Sequence, residues 1–112
     1  MTIAVIGSRG FNDYDKLKSS LEEYKDKATN FVSGGAKGAD SLGERWAREN
    51  NIPVKVFLPD WDKHGKSAGY KRNIDIVDNA DLVIAFWDGV SKGTKHSIDL
   101  ARTKSKELII IS

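Results

Sequence analysis

Short runs of apolar residues alternate along the chain with stretches in which apolar residues recur every three or four positions. The runs are continuous, which is typical of parallel strands that are buried on both faces. They predict five strands, at residues 3–6, 30–33, 54–57, 82–86 and 108–111. The stretches between them predict four helices with one apolar stripe each, over residues 13–28, 39–47, 70–77 and 94–101. Asn12 or Asp13 is the expected N-cap of the first helix.

Strands and helices therefore alternate strictly, which favours a parallel sheet with helices on both faces. We expect an α/β fold, a Rossmann-like three-layer sandwich with about five parallel strands, in a single domain over residues 1–112. Lys55 interrupts the third strand, so this strand is expected near an edge of the sheet. The connection from Leu58 to Tyr70 holds a proline and two glycines and is expected to be irregular.

The composition is that of an ordinary globular protein, with 39% hydrophobic and 30% charged residues. The net charge is only +2, and residues 1–56 and 57–112 each carry nine basic and eight acidic side chains. Binding of duplex DNA through bulk charge is therefore disfavoured. The sequence has no cysteine. No signal peptide and no membrane span are expected, so a cytoplasmic location is the default.

Glycines and basic residues gather in the loops that would follow the strands. Doubly wound sheets bind ligands beyond the carboxyl ends of the strands, where the strand order reverses. Nine of the ten glycines lie in these loops, where a missing Cβ lets backbone N–H groups approach an anion. Eight basic residues lie there or in the next helical turn, namely Arg9, Lys37, Lys63, Lys66, Lys71, Arg72, Lys92 and Lys95. The pattern predicts a site for a phosphate-bearing small molecule.

Most of these features also have a purely structural explanation. Tight turns between strand and helix need glycine in any case. Arg9 and Lys66, taken singly, are expected to be solvated charges. The role of Asp40 can be simply to complement a helix dipole, without contact to a ligand. Trp61 and Trp87 either stack on a nucleobase or close the end of the core.

Arg72 is predicted at the start of a helix, where the dipole disfavours a cation unless an anion compensates. The two histidines, His64 and His96, share no ligand spacing, so no metal site is predicted. The pattern Gly-x-Gly-x-x-Gly does not follow the first strand, so the usual dinucleotide fingerprint is missing.

Six segments, in order and over nearly the whole chain, resemble the YspA/YpsA-like branch of the SLOG superfamily. They are Gly7-Ser8-Arg9-Gly10-Phe11, residues 33–40, Pro59-Asp60-Trp61, Gly69-Tyr70-Lys71-Arg72-Asn73, Phe86-Trp87-Asp88-Gly89 and Gly93-Thr94. The resemblance implies a Rossmann-like fold and a nucleotide or nucleotide-derived ligand, and small members occur in bacteria and their phages. The ligand-binding candidates are Gly7, Ser8, Arg9, Ser33, Gly34, Gly35, Lys37, Gly38, Asp40, Trp61, Lys66, Arg72, Asn73, Trp87, Asp88, Gly89, Gly93 and Thr94.

The chain is similar in part to the Lonely guy (LOG) phosphoribohydrolases, which cleave the base from nucleoside monophosphates. Arg72 falls on their arginine and Gly93-Thr94 on their Gly-Thr, but Asn73 stands where they have lysine. Ser97 occupies the position of their catalytic glutamate, and a serine cannot stabilise an oxocarbenium-like transition state as a carboxylate does. The resemblance implies a retained phosphate site without that carboxylate.

Residues 33–40 also resemble the Ser-Gly-x-Ala-x-Gly-Ile-Asp loop of the DNA-processing protein DprA, which implies a shared anion-binding loop. Three functions follow as hypotheses. The first is a module that senses or sequesters a nucleotide-derived molecule, with no cofactor required. The second is a small N-glycosidic hydrolase or nucleotide-processing enzyme that uses Asp40 or Asp88, and the third is a single-stranded nucleic-acid binder. A homodimer is expected, because the domain is small and its relatives form dimers.

Overall fold

The computed structural model describes residues 1–111 and contains every predicted strand. The strands are β1 (Thr2–Gly7), β2 (Asn30–Ser33), β3 (Val54–Val56), β4 (Leu82–Phe86) and β5 (Glu107–Ile111). The helices are α1 (Tyr14–Leu21), α2 (Ala39–Glu49), α3 (Trp61–His64), α4 (Ala68–Asn79) and α5 (Lys92–Thr103), with 3₁₀ turns at Glu22–Tyr24 and Gly65–Ser67. Within the described range, no helix is long and apolar enough to cross a bilayer.

The five strands form one parallel sheet in the order β3-β2-β1-β4-β5. This confirms the Rossmann-like prediction and places β3 at an edge. Ile3 of β1 is paired with Phe31 of β2 on one side and with Leu82 of β4 on the other. The chain builds outward from β1 to β3 and then returns to the far side of β1, so the strand order reverses between β1 and β4.

Two apolar clusters, one on each face of the sheet, produce the three layers. Leu17 of α1 and Trp46 of α2 pack with Ile3 on one face. Ile76 of α4 and Ile98 of α5 pack on the other face. Because successive strand residues point to opposite faces, each buried strand contributes to both clusters. The loops at the carboxyl ends of β1 and β4 are thereby held between helices from both faces.

The first helix is shorter than predicted. It begins after Asp13, whose side chain accepts a hydrogen bond from the Lys16 N–H at 3.0 Å, as expected for an N-cap. It ends at Leu21 rather than at residue 28, and a 3₁₀ turn follows. Residues 22–27 are mostly charged and none of them is buried, so no apolar stripe holds further turns against the sheet.

The connection predicted to be irregular contains helix α3. The Asp60 side chain caps it by accepting from the Lys63 N–H at 3.0 Å, and Gly65 ends it with a φ of 56°. Helix α4 consequently begins at Ala68, which makes Arg72 its fifth residue rather than a residue of its first turn. The prediction that Arg72 meets a helix dipole is therefore wrong. Gly93, predicted in a loop, is the second residue of α5.

Gly38 fixes the turn that leads into α2. Its φ of 80° lies in the region that favours glycine. A Cβ at this position would lie only 2.5 Å from the Arg9 carbonyl oxygen and closer still to that of Ser8. The Ser8 carbonyl oxygen also accepts from the Phe11 N–H at 3.1 Å and the Ala39 N–H at 3.4 Å. The loop after β1 and the start of α2 therefore form one rigid unit.

We expect Gly38→Ala to lower the free energy of unfolding by about 1–3 kcal/mol, because it combines a positive φ with a backbone clash. Gly10→Ala is the matched control, since nothing lies within 4 Å of a Cβ there and its φ is not positive. Urea denaturation followed by circular dichroism measures both variants. An equal loss of stability in the two variants would contradict this account of the turn.

Candidate functional site

A cleft lies beyond the carboxyl ends of β1, β2 and β4, where the strand order reverses. It consists of two adjoining compartments of about 470 and 440 Å³. The first, which we call the switch-point compartment, lies between the loops after β1 and β4 and includes Ser8, Asp88 and Ser97. The second, the aromatic compartment, includes Trp61 and Tyr70. Five residues line both compartments and form their junction: Arg9, Ala36, Arg72, Asn73 and Gly93.

The Arg72 guanidinium is held at this junction by two hydrogen bonds. It donates through Nη1 to the Gly34 carbonyl oxygen at 2.7 Å and through Nε to Asn73 Oδ1 at 3.0 Å. Partial burial lowers the pKa of Arg72 and the nearby Arg9 lowers it further, while Asp40 opposes them. The guanidinium groups of Arg9 and Arg72 at the junction form a site that a bound anion would stabilise.

Gly34 makes this arrangement possible. A Cβ at Gly34 would lie 2.7 Å from Arg72 Nη1 and 2.9 Å from Asp40 Oδ2. Both side chains therefore pass directly over its Cα, in space that any other residue would fill. Glycine is therefore needed at position 34 because the Arg72 and Asp40 side chains approach the backbone closely there.

Asp40 is a buried carboxylate at the start of α2, with only 7% of its surface exposed. Burial raises its pKa to about 6, although the Ala36 N–H, Arg72 and the Gly34 N–H favour the charged form. The Ala36 N–H donates to Asp40 Oδ2 at 3.3 Å, and the Gly35 N–H donates to Ser33 Oγ at 3.3 Å. These N–H groups are therefore engaged by nearby side chains, and the positive charge at the junction comes from Arg9 and Arg72.

Asn73 connects Arg72 to α5. Besides accepting from Arg72, it lies with Nδ2 at 3.3 Å from His96 Nδ1 and 3.5 Å from the Gly93 carbonyl oxygen. The Tyr70 ring packs edge-on against the His96 ring at 4.6 Å between centroids. Sequence reasoning missed Tyr70, His96 and Ser91 as members of this region. Tyr70 lies three residues before Asn73 on α4, a spacing that places the two on one face of the helix.

Asp88 shapes the loop after β4. Its Oδ1 accepts from the Val90 N–H at 2.9 Å and from the Ser91 N–H at 2.8 Å, and these bonds lower its pKa. Its own N–H donates to Ser8 Oγ at 3.2 Å, which joins this loop to the loop after β1. Asp88 therefore forms the turn of this loop.

Thirteen of the eighteen predicted ligand-binding residues line the cleft: Gly7, Ser8, Arg9, Gly34, Gly35, Asp40, Trp61, Lys66, Arg72, Asn73, Asp88, Gly93 and Thr94. Lys37 and Gly89 are exposed outside it. Ser33 is fully buried and donates to Glu44 Oε2 at 2.7 Å. Gly38 serves the turn described above.

Trp87 also lies outside the cleft. Its Nε1 donates to the Ser91 carbonyl oxygen at 3.1 Å, and its ring lines a separate apolar groove beside Phe11 and Phe86. It also packs on the core cluster under α4 and α5. These contacts favour the interpretation that Trp87 closes the end of the core. Among residues 1–111, no three His, Asp or Glu side chains are grouped in a way that could hold a metal ion.

The protein thus has a parallel Rossmann-like sheet with a charged cleft at the point where the strand order reverses. The chain belongs to the YspA, cpYpsA-related SLOG family, whose model matches residues 1–64. It is also similar to the Gene 61 protein of Mycobacterium phage D29, with 36% identity over 103 residues that cover 84% of this chain and 82% of the phage protein.

Two solved structures share the fold. One is DNA processing protein A from Helicobacter pylori, described as binding single-stranded DNA, with a TM-score of 0.75 and 23% identity over 100% of this chain. The other is DNA processing protein A (DprA) from Streptococcus pneumoniae, with a TM-score of 0.77 and 20% identity over 99% of this chain. The chain spans only 65% and 50% of these two proteins, respectively. At these identities the similarity shows the fold alone.

Burial of Asp40 makes stability depend on pH. Its pKa is about 6 in the folded chain against an ordinary value of 3.8, so the folded chain retains a proton that the unfolded chain releases between these values. The protonated Asp40 side chain therefore stabilises the folded chain relative to the ionised one. This contribution to the free energy of unfolding is complete below the ordinary pKa of 3.8 and is lost as the pH rises through about 6. Its full size is about 3 kcal/mol.

We therefore expect Asp40→Asn to gain stability relative to wild type as the pH rises from 4 to 7, by up to about 3 kcal/mol. Denaturant titrations across this pH range measure the difference. Asp75→Asn, at an exposed aspartate of α4, is the control and should leave the difference flat. A difference for Asp40→Asn that stays constant or shrinks with pH would be incompatible with a raised pKa.

Proposed function

We propose that the cleft binds a nucleotide or a nucleotide-derived small molecule, and that the protein senses or sequesters it. One observation carries this proposal: Arg9 and Arg72 both line the junction of two compartments large enough for a nucleotide, and Arg9 contributes to lowering the pKa of Arg72. Arg72 is already fixed by its bonds to Gly34 and Asn73, so little ordering remains for a ligand to cause. A phosphate group supplies the charge that such a junction lacks.

The amino end of α5 supports the same phosphate position. Gly93 and Thr94 line the cleft in the first turn of this twelve-residue helix. No side chain of the described residues caps the helix there. The first N–H groups of a helix favour an anion through their own hydrogen bonds and through the helix dipole. Arg72 and α5 would thus contact one phosphate from two sides.

We expect Arg72→Ala to weaken nucleotide binding by about 1.5–3 kcal/mol, or roughly 10- to 150-fold, the usual loss for a charge-assisted contact. Isothermal calorimetry with AMP, ADP and ADP-ribose measures it. Lys71→Ala is the matched control, because Lys71 is the exposed neighbour on the same helix. Circular dichroism of each variant verifies the fold.

Unchanged affinity in a folded Arg72→Ala protein would remove Arg72 from the site. An equal loss in Lys71→Ala would show that general positive charge, rather than this junction, attracts the ligand.

Binding without turnover by the LOG route is expected, because Ser97 lines the switch-point compartment where that route needs a carboxylate. Incubation with nucleoside monophosphates and ADP-ribose, followed by chromatography, should show no release of free base. Release that disappears in Asp40→Asn or Asp88→Asn would overturn this expectation and favour the hydrolase. Asp40, with its raised pKa in the cleft, is the stronger of these two candidates.

Binding of single-stranded nucleic acid is the second candidate function. The structural neighbour from Helicobacter pylori binds single-stranded DNA, and the aromatic compartment of this chain exposes 57% of Trp61 and 49% of Tyr70. Exposed rings of this kind can stack on bases. Fluorescence anisotropy with a labelled oligothymidine separates the candidates. An oligonucleotide that binds more tightly than every mononucleotide would favour this second function.

A further inference from the structure

The positive charge of the cleft lies at its middle. Arg9 and Arg72 each line both compartments, whereas the part of the switch-point compartment beyond them is lined by no other arginine or lysine. Lys66 is the only further cation in the described lining, on the aromatic side. A ligand that matches this distribution carries its negative charge between two uncharged ends.

The switch-point compartment has the chemistry of a site for hydroxyl groups. Its lining includes the carboxylates of Asp40 and Asp88 and the hydroxyls of Ser91, Thr94 and Ser97. Thr94 and Ser97 are buried, at 5% and 2% exposure. Carboxylates accept hydrogen bonds and repel a second anion, while hydroxyls both donate and accept. A terminal phosphate would be disfavoured here, whereas a hydroxyl-rich group would meet polar side chains. Within this set Asp88 Oδ1 already accepts from two backbone N–H groups, and Ser91 Oγ lies 3.1 Å from Thr94 Oγ1.

The aromatic compartment has the opposite character. Trp61 and Tyr70 line it together with Leu58 and Pro59, and the Tyr70 ring is braced against His96. Leu58, Trp61 and Tyr70 are exposed by 72%, 57% and 49%, and together they form an apolar patch on one side of the cleft. A planar base would bury these apolar surfaces.

We infer that the ligand is a nucleoside whose phosphate or diphosphate is esterified to a second hydroxyl-rich group, as in the nucleoside-diphosphate sugars. Its base occupies the aromatic compartment, its phosphates lie at the arginine junction, and its second sugar enters the switch-point compartment. The inference rests on the proposed function and states which nucleotides the cleft prefers. A free mononucleotide would leave about 470 Å³ of the cleft without a ligand group.

Calorimetry with matched pairs tests the inference, namely ADP against ADP-ribose and ADP-glucose, and UDP against UDP-glucose. We expect at least one sugar ester to bind about tenfold or more tightly than its parent diphosphate. Ser97→Ala should reduce this ratio, because it removes a hydroxyl of the switch-point compartment with little change in volume. Lys71→Ala should leave the ratio unchanged.

The possible outcomes separate the two proposals. Diphosphates that bind as tightly as their sugar esters would overturn the inference while leaving nucleotide binding intact. Absence of binding by every compound, in a protein that circular dichroism shows to be folded, would overturn the proposed function as well. A preference for sugar esters that Ser97→Ala does not reduce would place the second sugar outside the switch-point compartment and so overturn the assignment.

Discussion

The hydrogen bond from Arg72 to the Gly34 carbonyl oxygen is the contact on which the cleft depends. It joins α4, on one face of the sheet, to the loop that leads from β2 into α2 on the other face. The two residues are 38 positions apart, so the bond exists only once the sheet is assembled. It also holds a guanidinium at the junction of the two compartments and beside a buried carboxylate.

Gly34, Asp40 and Asn73 make this contact possible. Gly34 has no Cβ because the guanidinium and the Asp40 carboxylate occupy that space. Asp40 accepts a hydrogen bond from the Ala36 N–H of the loop, and its burial there raises its pKa to about 6. Asn73 transmits the position of Arg72 to α5 through Gly93 and His96. A substitution of Gly34, Asp40 or Asn73 is therefore expected to shift the position of the Arg72 guanidinium, although Arg72 itself is unchanged.

The sequence predicted the sheet and the edge at which the cleft lies, because both follow from local patterns. Continuous apolar runs identify buried parallel strands, and nine of ten glycines follow them. Helix α3 was missed because a capping aspartate, Asp60, acts between a proline and a glycine that both suggest a loop. The roles of Ser33 and Trp87 depend on Glu44 and on the Ser91 carbonyl, and composition alone does not reveal such partners. Both the residue pattern and the family resemblance indicated Arg72, but only the structure shows that the nearby loop N–H groups are already bonded.

If the cleft has the proposed function, nucleotide phosphate binds at the arginine junction. Two-dimensional ¹⁵N NMR of the protein titrated with ADP tests it most directly, because it reports the binding position without a variant. The account predicts that the largest shift changes occur at the amides of Gly34, Gly93 and Thr94 and at Arg72 Nε. Changes confined to the separate groove beside Phe11 and Trp87, or no changes at saturating ADP, would contradict it.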